Sequence, residues 1–385
     1  MSFAPTCGIT GGCDSCLGRK EHMSKVLVSK VDNDIPQQIS RIFDQFAPSL
    51  AGKKVLIKPN ILSPTPPEEG NTTHPDVVRA AVRECVARGA VDIKVGDCPG
   101  ALEGNSRNTA RLCGILDACE GHFYPLGRRL KLVPVTSRSV DSFYIPEALL
   151  EADYVLNLAH FKVTVQTTVT GSFKNCYGYQ PGGLKAQGHF KALGKRRFSD
   201  LLLTLFSVRV PDLTILEGIY IMDTLGPRGG RVRPWGGILA SPDPVALDAT
   251  AIRLMGQDPA NEYTLATAAE RGLGTLAQEE IEVIGRLDPI PDFRMPEKGG
   301  FYSTAAAGDL LREMGDLKPV VYREKCQPCR ECDYCPVGAI TVDGYPVIDE
   351  EKCISCFACA EFCPQEAIQA PPGECERLMR MIFQM

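Results

Sequence analysis

The sequence predicts an α/β fold, a mainly parallel sheet with flanking helices, followed by a small C-terminal α+β domain. Three observations carry this expectation. Short β-type runs alternate with helix-type patterns from about residue 25 to 285, and such alternation marks a parallel sheet built from crossover units. Eight of the 17 cysteines fall between Cys326 and Cys363, which sets off a second unit with its own chemistry. At 385 residues, 44% hydrophobic and 23% charged, the chain has a globular composition with room for a sizeable core.

The elements follow in order. KVLVSKV at 25–31 reads as a strand and IPQQISRIFDQF at 35–46 as a helix, then KKVLIKPN at 53–60 as a strand ended by Pro59. A helix follows with Thr73 as N-cap and Pro75 near its first position. VDIKVGDC at 91–98 is a strand, residues 107–119 a helix, and LKLVPV and DYVLNLA (153–159) two more strands. Then come a helix near 198–208, the strands LTILEGI (213–219) and GGILAS (236–241), helices at 244–256 and near 263–271, and the strand IEVIG (281–285). The expected organisation is a flexible cysteine-containing extension at 1–22, an α/β ligand-binding domain at 23–290, a linker and helix at 291–319, the cysteine domain at 320–372, and a tail at 373–385.

No apolar run approaches the roughly 18 residues that a membrane span needs. The first 22 residues lack the apolar segment of a secretory signal. A cytoplasmic protein without a membrane partner is therefore expected, and disulfides are not. Residues 321–372 hold nine Asp/Glu and four Lys/Arg, a balance of −5 that equals the net charge of the whole chain. An acidic surface around the cysteines suits a basic redox partner protein. The remainder is neutral, which argues against a nucleic-acid partner.

The second cysteine run, Cys353-x2-Cys356-x2-Cys359-x3-Cys363-Pro364, matches the spacing of bacterial ferredoxins. Three thiolates on a tight loop grip one four-iron cube, and the fourth reaches across to another. The first run, Cys326-x2-Cys329-x2-Cys332-x2-Cys335-Pro336, is one residue short before its last cysteine. The repeat of CPVGAI at 335–340 in CPQEAI at 363–368 keeps Cys335 in register as a ligand. Two [4Fe–4S] clusters are expected: one on Cys326, Cys329, Cys332 and the crossing Cys363, the other on Cys353, Cys356, Cys359 and the crossing Cys335. The shortened loop predicts strain after Cys332 and a labile or three-iron first cluster. A zinc ribbon, which also uses CxxC pairs, is the competing reading. Residues 322–369 resemble the two-cluster ferredoxin fold, which implies two pseudo-symmetric halves, each with a hairpin and a short helix.

The segments KVLIKPNILS (54–63), TTHPDVVRAAV (72–82), VGDCPG (95–100), ADYVLNLAHFK (152–162), TGSFKNCYG (170–178), PDLTILEGI (211–219) and ASPDPVALDATAIRLMG (240–256) occur in order. Together they resemble the family catalogued as domain of unknown function 362, over about residues 25–285. The resemblance implies a ferredoxin module on the same chain but no particular reaction. Relatives carry Lys-Thr-His where this chain reads Lys162-Val163-Thr164, with His160 as the available substitute.

Ligands of open α/β sheets bind beyond the carboxyl ends of the strands, where this sequence places Lys58, Asn60, Asp97, Cys98, Asn157, Lys162 and Glu217. Lys58, Asn60, Lys162, Lys174 and Asn175 are the expected contacts for a small anionic substrate, with Asp97 or Glu217 moving protons. Residues 160–199 contain seven Lys/Arg and no acid, and the turn Thr170-Gly171-Ser172 before a helix start offers amides to an anion. Arg228, Arg231 and Arg233 lie in a Gly-rich loop that reads as a candidate lid. GLGTLA at 272–277 fits a dinucleotide fingerprint by letters only; it follows a helix and reads as a C-cap turn. The expected function is an oxidoreductase passing low-potential electrons from the clusters to a small anion. The alternatives are an electron carrier or assembly subunit whose large domain docks a partner, and a binding protein with structural clusters.

Overall fold

A computed structural model describes residues 23–377 apart from 32–33, 101–103, 165, 287, 297–308, 311, 314–315, 372 and 375–376. The 1–22 extension with Cys7, Cys13 and Cys16, much of the 291–319 linker and most of the 373–385 tail lie outside the described residues.

The strands of the α/β unit are β1 (Ser24–Lys30), β2 (Lys54–Pro59), β3 (Asp92–Val95), β4 (Leu130–Pro134), β5 (Ser142–Pro146), β6 (Tyr154–Thr164), β7 (Thr168–Val169), β8 (Leu213–Asp223), β9 (Arg231–Ser241) and β10 (Ile281–Ile284). Its helices are α1 (Ile35–Phe46), α2 (Pro75–Ala87), α3 (Ser106–Leu112), α4 (Ile115–Ala118), α5 (Glu147–Leu150), α6 (Ser172–Asn175), α7 (Gly182–Lys191), α8 (Lys195–Val208), α9 (Pro244–Leu254) and α10 (Tyr263–Glu270).

The main sheet runs β10-β1-β9-β8-β6-β2-β3, with β7 beside β6. Strands β8, β6, β2 and β3 are parallel, as are β1 and β10, whereas β9 is antiparallel to both neighbours. The fold is the mostly parallel α/β sheet that the alternation predicts. Strand β9 departs because residues 224–230 are too few for a crossover, which takes about a dozen. LKLVPV also departs: β4 pairs only with β5, in a separate antiparallel hairpin. The single helix expected at 107–119 is two, because Gly114 takes a left-handed φ of 78° between them.

Both faces of the sheet are covered, so the central strands read as continuous apolar runs. Leu156 and Leu158 face the core under α1 and α2, while Val155, Ala159 and Phe161 face the core under α8 and α9. The N-cap of α2 is His74, whose Nδ1 accepts from Asp76 N, rather than Thr73. Thr73 Oγ1 is already used, accepting from Asn60 N and donating to Leu158 O.

The cysteine unit contains β11 (Val320–Val321), a 3₁₀ turn at Glu331–Tyr334, β12 (Ile340–Asp343), β13 (Tyr345–Ile348), α11 (Ala358–Phe362) and β14 (Ile368–Gln369). β12 and β13 form a hairpin, and β11 pairs antiparallel with β14, tying the two ends of the unit together. The two halves are pseudo-symmetric. Each short helix follows a left-handed residue, Arg330 at φ 58° and Phe357 at φ 60°.

Candidate cluster sites and the buried polar network

The eight module cysteines divide into two sets. Cys326, Cys329, Cys332 and Cys363 line one pocket. Cys335, Cys353, Cys356 and Cys359 line another. In each set the fourth sulfur comes from the other half of the repeat. Backbone amides are aimed at both crossing sulfurs: Ala339 N donates to Cys335 Sγ and Ala367 N to Cys363 Sγ, each at 3.3 Å. Among the described residues no three Cys, His, Asp or Glu side chains converge as ligands of a single ion. Four soft donors spread around a volume, with amide bonds to the sulfurs, fit an iron–sulfur cube. Burial pushes Cys356 up to about 12, so a thiolate there depends on the positive charge of iron.

The missing residue after Cys332 is absorbed locally. The first half uses a four-residue 3₁₀ turn where the second uses the five-residue α11. At rises of about 2.0 and 1.5 Å per residue, both come to roughly 8 Å. Cys332 therefore reaches its cavity as a buried residue, and Cys329 is the exposed member of the set. The strain expected at Cys332 is replaced by a tighter helical turn.

The second set is the inner one: Cys356 and Cys359 lie on the 354–363 loop, which also brings Cys363 of the first set against the α/β unit. Gly183 N donates to Cys356 O at 3.2 Å, Gln187 Nε2 to Ile354 O at 2.8 Å, Asn105 Nδ2 to Cys363 O at 2.6 Å and Ser106 Oγ to Glu361 O at 2.8 Å. Glu361, buried on α11, accepts from Gly182 N at 2.6 Å. A Cβ on Gly183 would lie 2.0 Å from Ser355 O, so glycine there is a condition of the close approach. At the rim Arg128 pairs with Glu331 at 2.6 Å and Arg129 Nη2 donates to Tyr334 Oη at 3.1 Å. None of these contacts was read from the sequence. They join residues up to 258 positions apart, and side chains that bond to carbonyls carry no pattern of their own.

In the α/β unit, four of the five expected anion contacts meet in one buried network at the carboxyl end of β2 and along β6. Lys58 Nζ lies 2.8 Å from Asp97 Oδ1 and donates to Pro59 O and Asn175 Oδ1. Asn175 Oδ1 also accepts from Asn60 Nδ2 at 2.8 Å, and Asn175 Nδ2 donates to Asn157 Oδ1 at 2.7 Å. Lys162 Nζ donates to Asn60 Oδ1 at 2.7 Å and Asn71 O at 2.5 Å. Burial, with Lys174 nearby, lowers the Lys162 pKa to about 7. Gly178 is pressed onto the ion pair, where a Cβ would lie 2.1 Å from Asp97 Oδ1.

Lys174 does not join this network. Its Nζ sits over the rings of Tyr177 and Phe198, at 4.4 and 4.9 Å from their centroids. The two proton candidates also separate: Asp97 belongs to Lys58, whereas Glu217 on β8 pairs with His160 Nδ1 at 2.5 Å. Two of the amides of the 170–172 turn are taken, Thr170 N by Lys162 O and Ser172 N by Asp248 Oδ1, each at 2.8 Å. Nor is the basic stretch one anion-binding face. Lys185 is bound to Cys98 O and Pro99 O, and Lys195 pairs with Glu262. The Arg-rich loop is clamped rather than free, since Arg231 pairs with Asp223 and Asp292, and Arg233 with Asp223. Cys98 and Cys176 are fully buried, and burial pushes both thiols up, which removes them as reactive groups. GLGTLA is the helix C-cap turn, with Gly272 at φ 73°.

Residues 55–253 match the family described as domain of unknown function (DUF362), and residues 346–369 match the 4Fe-4S binding domain. The chain belongs to the DUF362 family and carries at least one 4Fe–4S cluster. It is 34% identical to a thylakoid-associated protein of Synechocystis over 59% of this chain and 71% of that protein. Over a short stretch the chain is similar to the polyferredoxin-like subunit of an aliphatic sulfonate oxidoreductase of Pyrococcus furiosus, 42% identical over 12% of this chain and 32% of that subunit. It is also similar to the pyruvate synthase subunit PorD of Thermotoga maritima, 36% identical over 14% of this chain and 60% of that subunit. Among solved structures, the lactate racemase apoprotein of Thermoanaerobacterium thermosaccharolyticum aligns with a TM-score of 0.39 and 12% identity, over 61% of this chain and 58% of that one. Among the described residues no helix is long and apolar enough to cross a membrane.

Proposed function

We propose that this chain is a cytoplasmic oxidoreductase holding two [4Fe–4S] clusters, one on each cysteine set, and serving a small anionic substrate or cofactor in the α/β unit. The coarser statement, an iron–sulfur protein of the electron-transfer class, rests on the 4Fe-4S domain match. The observation that carries the rest is the docking of the inner set onto the α/β unit. Gly183, Gln187, Asn105 and Ser106 hold the backbone of the 354–363 loop against the sheet's carboxyl edge. Bound there, the clusters would supply one-electron transfer at low potential.

The chain's own residues do the remaining work in this reading. Lys162 and Asn60, with Asn175 and Lys58 behind them, bind the anion, and Glu217 and Asp97 fix the charge balance around the two ammonium groups. The outer set, with Cys329 exposed, faces a redox partner protein. Two relatives of the cysteine unit are by name subunits of an oxidoreductase and of a synthase, which supports a protein partner.

The test is an anaerobic preparation analysed for iron, sulfide and zinc, followed by a thermal-shift screen against small organic anions. About eight irons per chain with reversible bleaching by dithionite supports the assignment. Zinc, or no acid-labile sulfide, removes it. Stabilisation by an anion that Lys162→Ala abolishes supports the substrate reading; no response across the panel rejects it. One observation favours a second reading, an electron carrier or assembly subunit: the polar network is closed, with Lys58 0%, Asn175 1% and Lys162 2% exposed. A silent panel beside intact clusters selects that reading.

A further inference from the structure

The parallel register of β6 and β8 breaks beyond the His160–Glu217 pair, resuming at Lys162–Met222, and β8 bulges against β9 between Gly218 and Tyr220. Bulges of this kind re-aim side chains beside functional sites. Here the bulge turns Ile219 N back onto Glu217 Oε2 at 3.0 Å, while His74 N reaches Oε1 at 3.2 Å. The carboxylate is thus gripped by two backbone amides and meets His160 Nδ1 with its remaining acceptor capacity, at 2.5 Å. A carboxylate can only accept, so Nδ1 carries a proton, and in the neutral imidazole Nε2 is then the bare nitrogen. His160 is 1% exposed, and among the described residues Nε2 has no hydrogen-bonding partner.

A second orphan lies in the segment that wraps this edge. Thr72 is fully buried, and among the described residues its Oγ1 has no partner. It sits between Asn71, whose carbonyl accepts from Lys162 Nζ, and Thr73, whose hydroxyl holds Leu158 O. Strand β6 carries His160 and Lys162 on the same face, two residues apart. The segment that carries Thr72 is thus fastened on both sides of it to the strand end that carries His160 and Lys162. Buried polar atoms left unpaired are rare enough to need a reason.

We propose that His160 Nε2 is the proton acceptor of the ligand site, oriented by Glu217, and that Thr72 Oγ1 and Lys162 Nζ contact the same ligand, a small organic acid. This rests on the anion-site reading above. In the step, the ligand's X–H bond breaks toward Nε2 and its electron pair stays on the ligand as negative charge facing Lys162. The imidazolium keeps its Nδ1–H on Glu217. The charged and titratable groups that bear on the pair are Glu217 from β8, His74 at the start of α2 and Lys162 on β6 itself; Lys174, Asp97 and Arg228 act on Lys162.

Two measurements on the anaerobic holoprotein decide it. Nitrogen NMR of labelled histidine, with His160 assigned through H160Q, should show a protonated Nδ1 and a bare Nε2, and E217Q should weaken that preference. A wild-type His160 protonated at Nε2 and bare at Nδ1 overturns the proposal. Pyruvate and malonate, both C–H acids, should exchange carbon-bound hydrogen with deuterated water faster with the protein than without it. H160Q should lower that rate about 100-fold, and added imidazole should restore part of it in H160G. No exchange by the wild type overturns the acceptor role. An anion that stabilises the protein while exchange is absent removes this step and leaves the anion site standing; absence of both removes the anion site as well.

Discussion

Lys162 holds its ammonium between Asn60 Oδ1 and Asn71 O, and burial brings its pKa down to about 7, with Lys174 at a similar value over its aromatic rings. The sign of the linkage follows. In the unfolded chain both lysines titrate near 10.5, so between about pH 7 and 10 the unfolded state binds more protons than the native state. Stability should therefore rise with pH through that window, by up to about 1.4 kcal/mol per pH unit for each lysine. Lys162→Met should flatten the slope, as chemical denaturation from pH 7 to 9.5 would show; an unchanged slope would mean that the group is solvated. Asp248 gives a second residue-scale prediction. Its carboxylate takes the first amide of α6, so Asp248→Ala should cost about 1–3 kcal/mol, while Asp248→Asn, which keeps the acceptor, should cost less than half of that. Burial raises its pKa to about 7, so the native state binds the extra proton and stability contributed by this group is lost as pH rises from about 4 to 7. Asp248→Asn should remove that dependence. Sequence position made Lys58, Asn60 and Lys162 legible, because polar residues ending parallel strands have one place to meet. It misjudged Lys174, since neighbours on a helix point about 100° apart: when Asn175 turns to the network, Lys174 turns away. It also could not show that the Ser172 amide is taken by a carboxylate 76 residues later.

The helices of the cysteine unit show how an element can absorb a deletion. A four-residue 3₁₀ turn and a five-residue α-helix span nearly equal lengths, so Cys335 and Cys363 end in equivalent environments, each with an amide on its sulfur. Spacing alone made the loss look like strain, because linear distance along the chain does not reveal a change of helix type. The strand elements were legible from their apolar runs, and the antiparallel β9 from its short connection once the strand's full length is known. The contact between α7 and the 354–356 loop was not legible at all. It supplies an element-scale test: Gly183→Ala places a methyl 2.0 Å from Ser355 O and should force the two units apart. Hydrogen exchange at residues 354–361 should accelerate in this variant at little cost to the β6–β8 core. Unchanged protection would show that the interface yields without opening.

At the scale of the molecule, the arrangement is directional. Each set has two buried members, Cys332 and Cys363 in the outer and Cys356 and Cys359 in the inner, but the exposed one, Cys329, belongs to the outer set, whereas Gly183 and Gln187 hold the loop of the inner set. Cys329→Ser should therefore lose iron from the outer site and retain roughly half the iron of the wild type, with the inner site preserved by its docking. Loss of all iron would mean that the sites assemble as one. The most direct test of the whole account is the electron paramagnetic resonance spectrum of the anaerobic protein after full dithionite reduction. Two cubes within one small interlocked unit predict roughly two spins per chain and a spectrum broadened by their mutual coupling. A single uncoupled spin, or none, would contradict it.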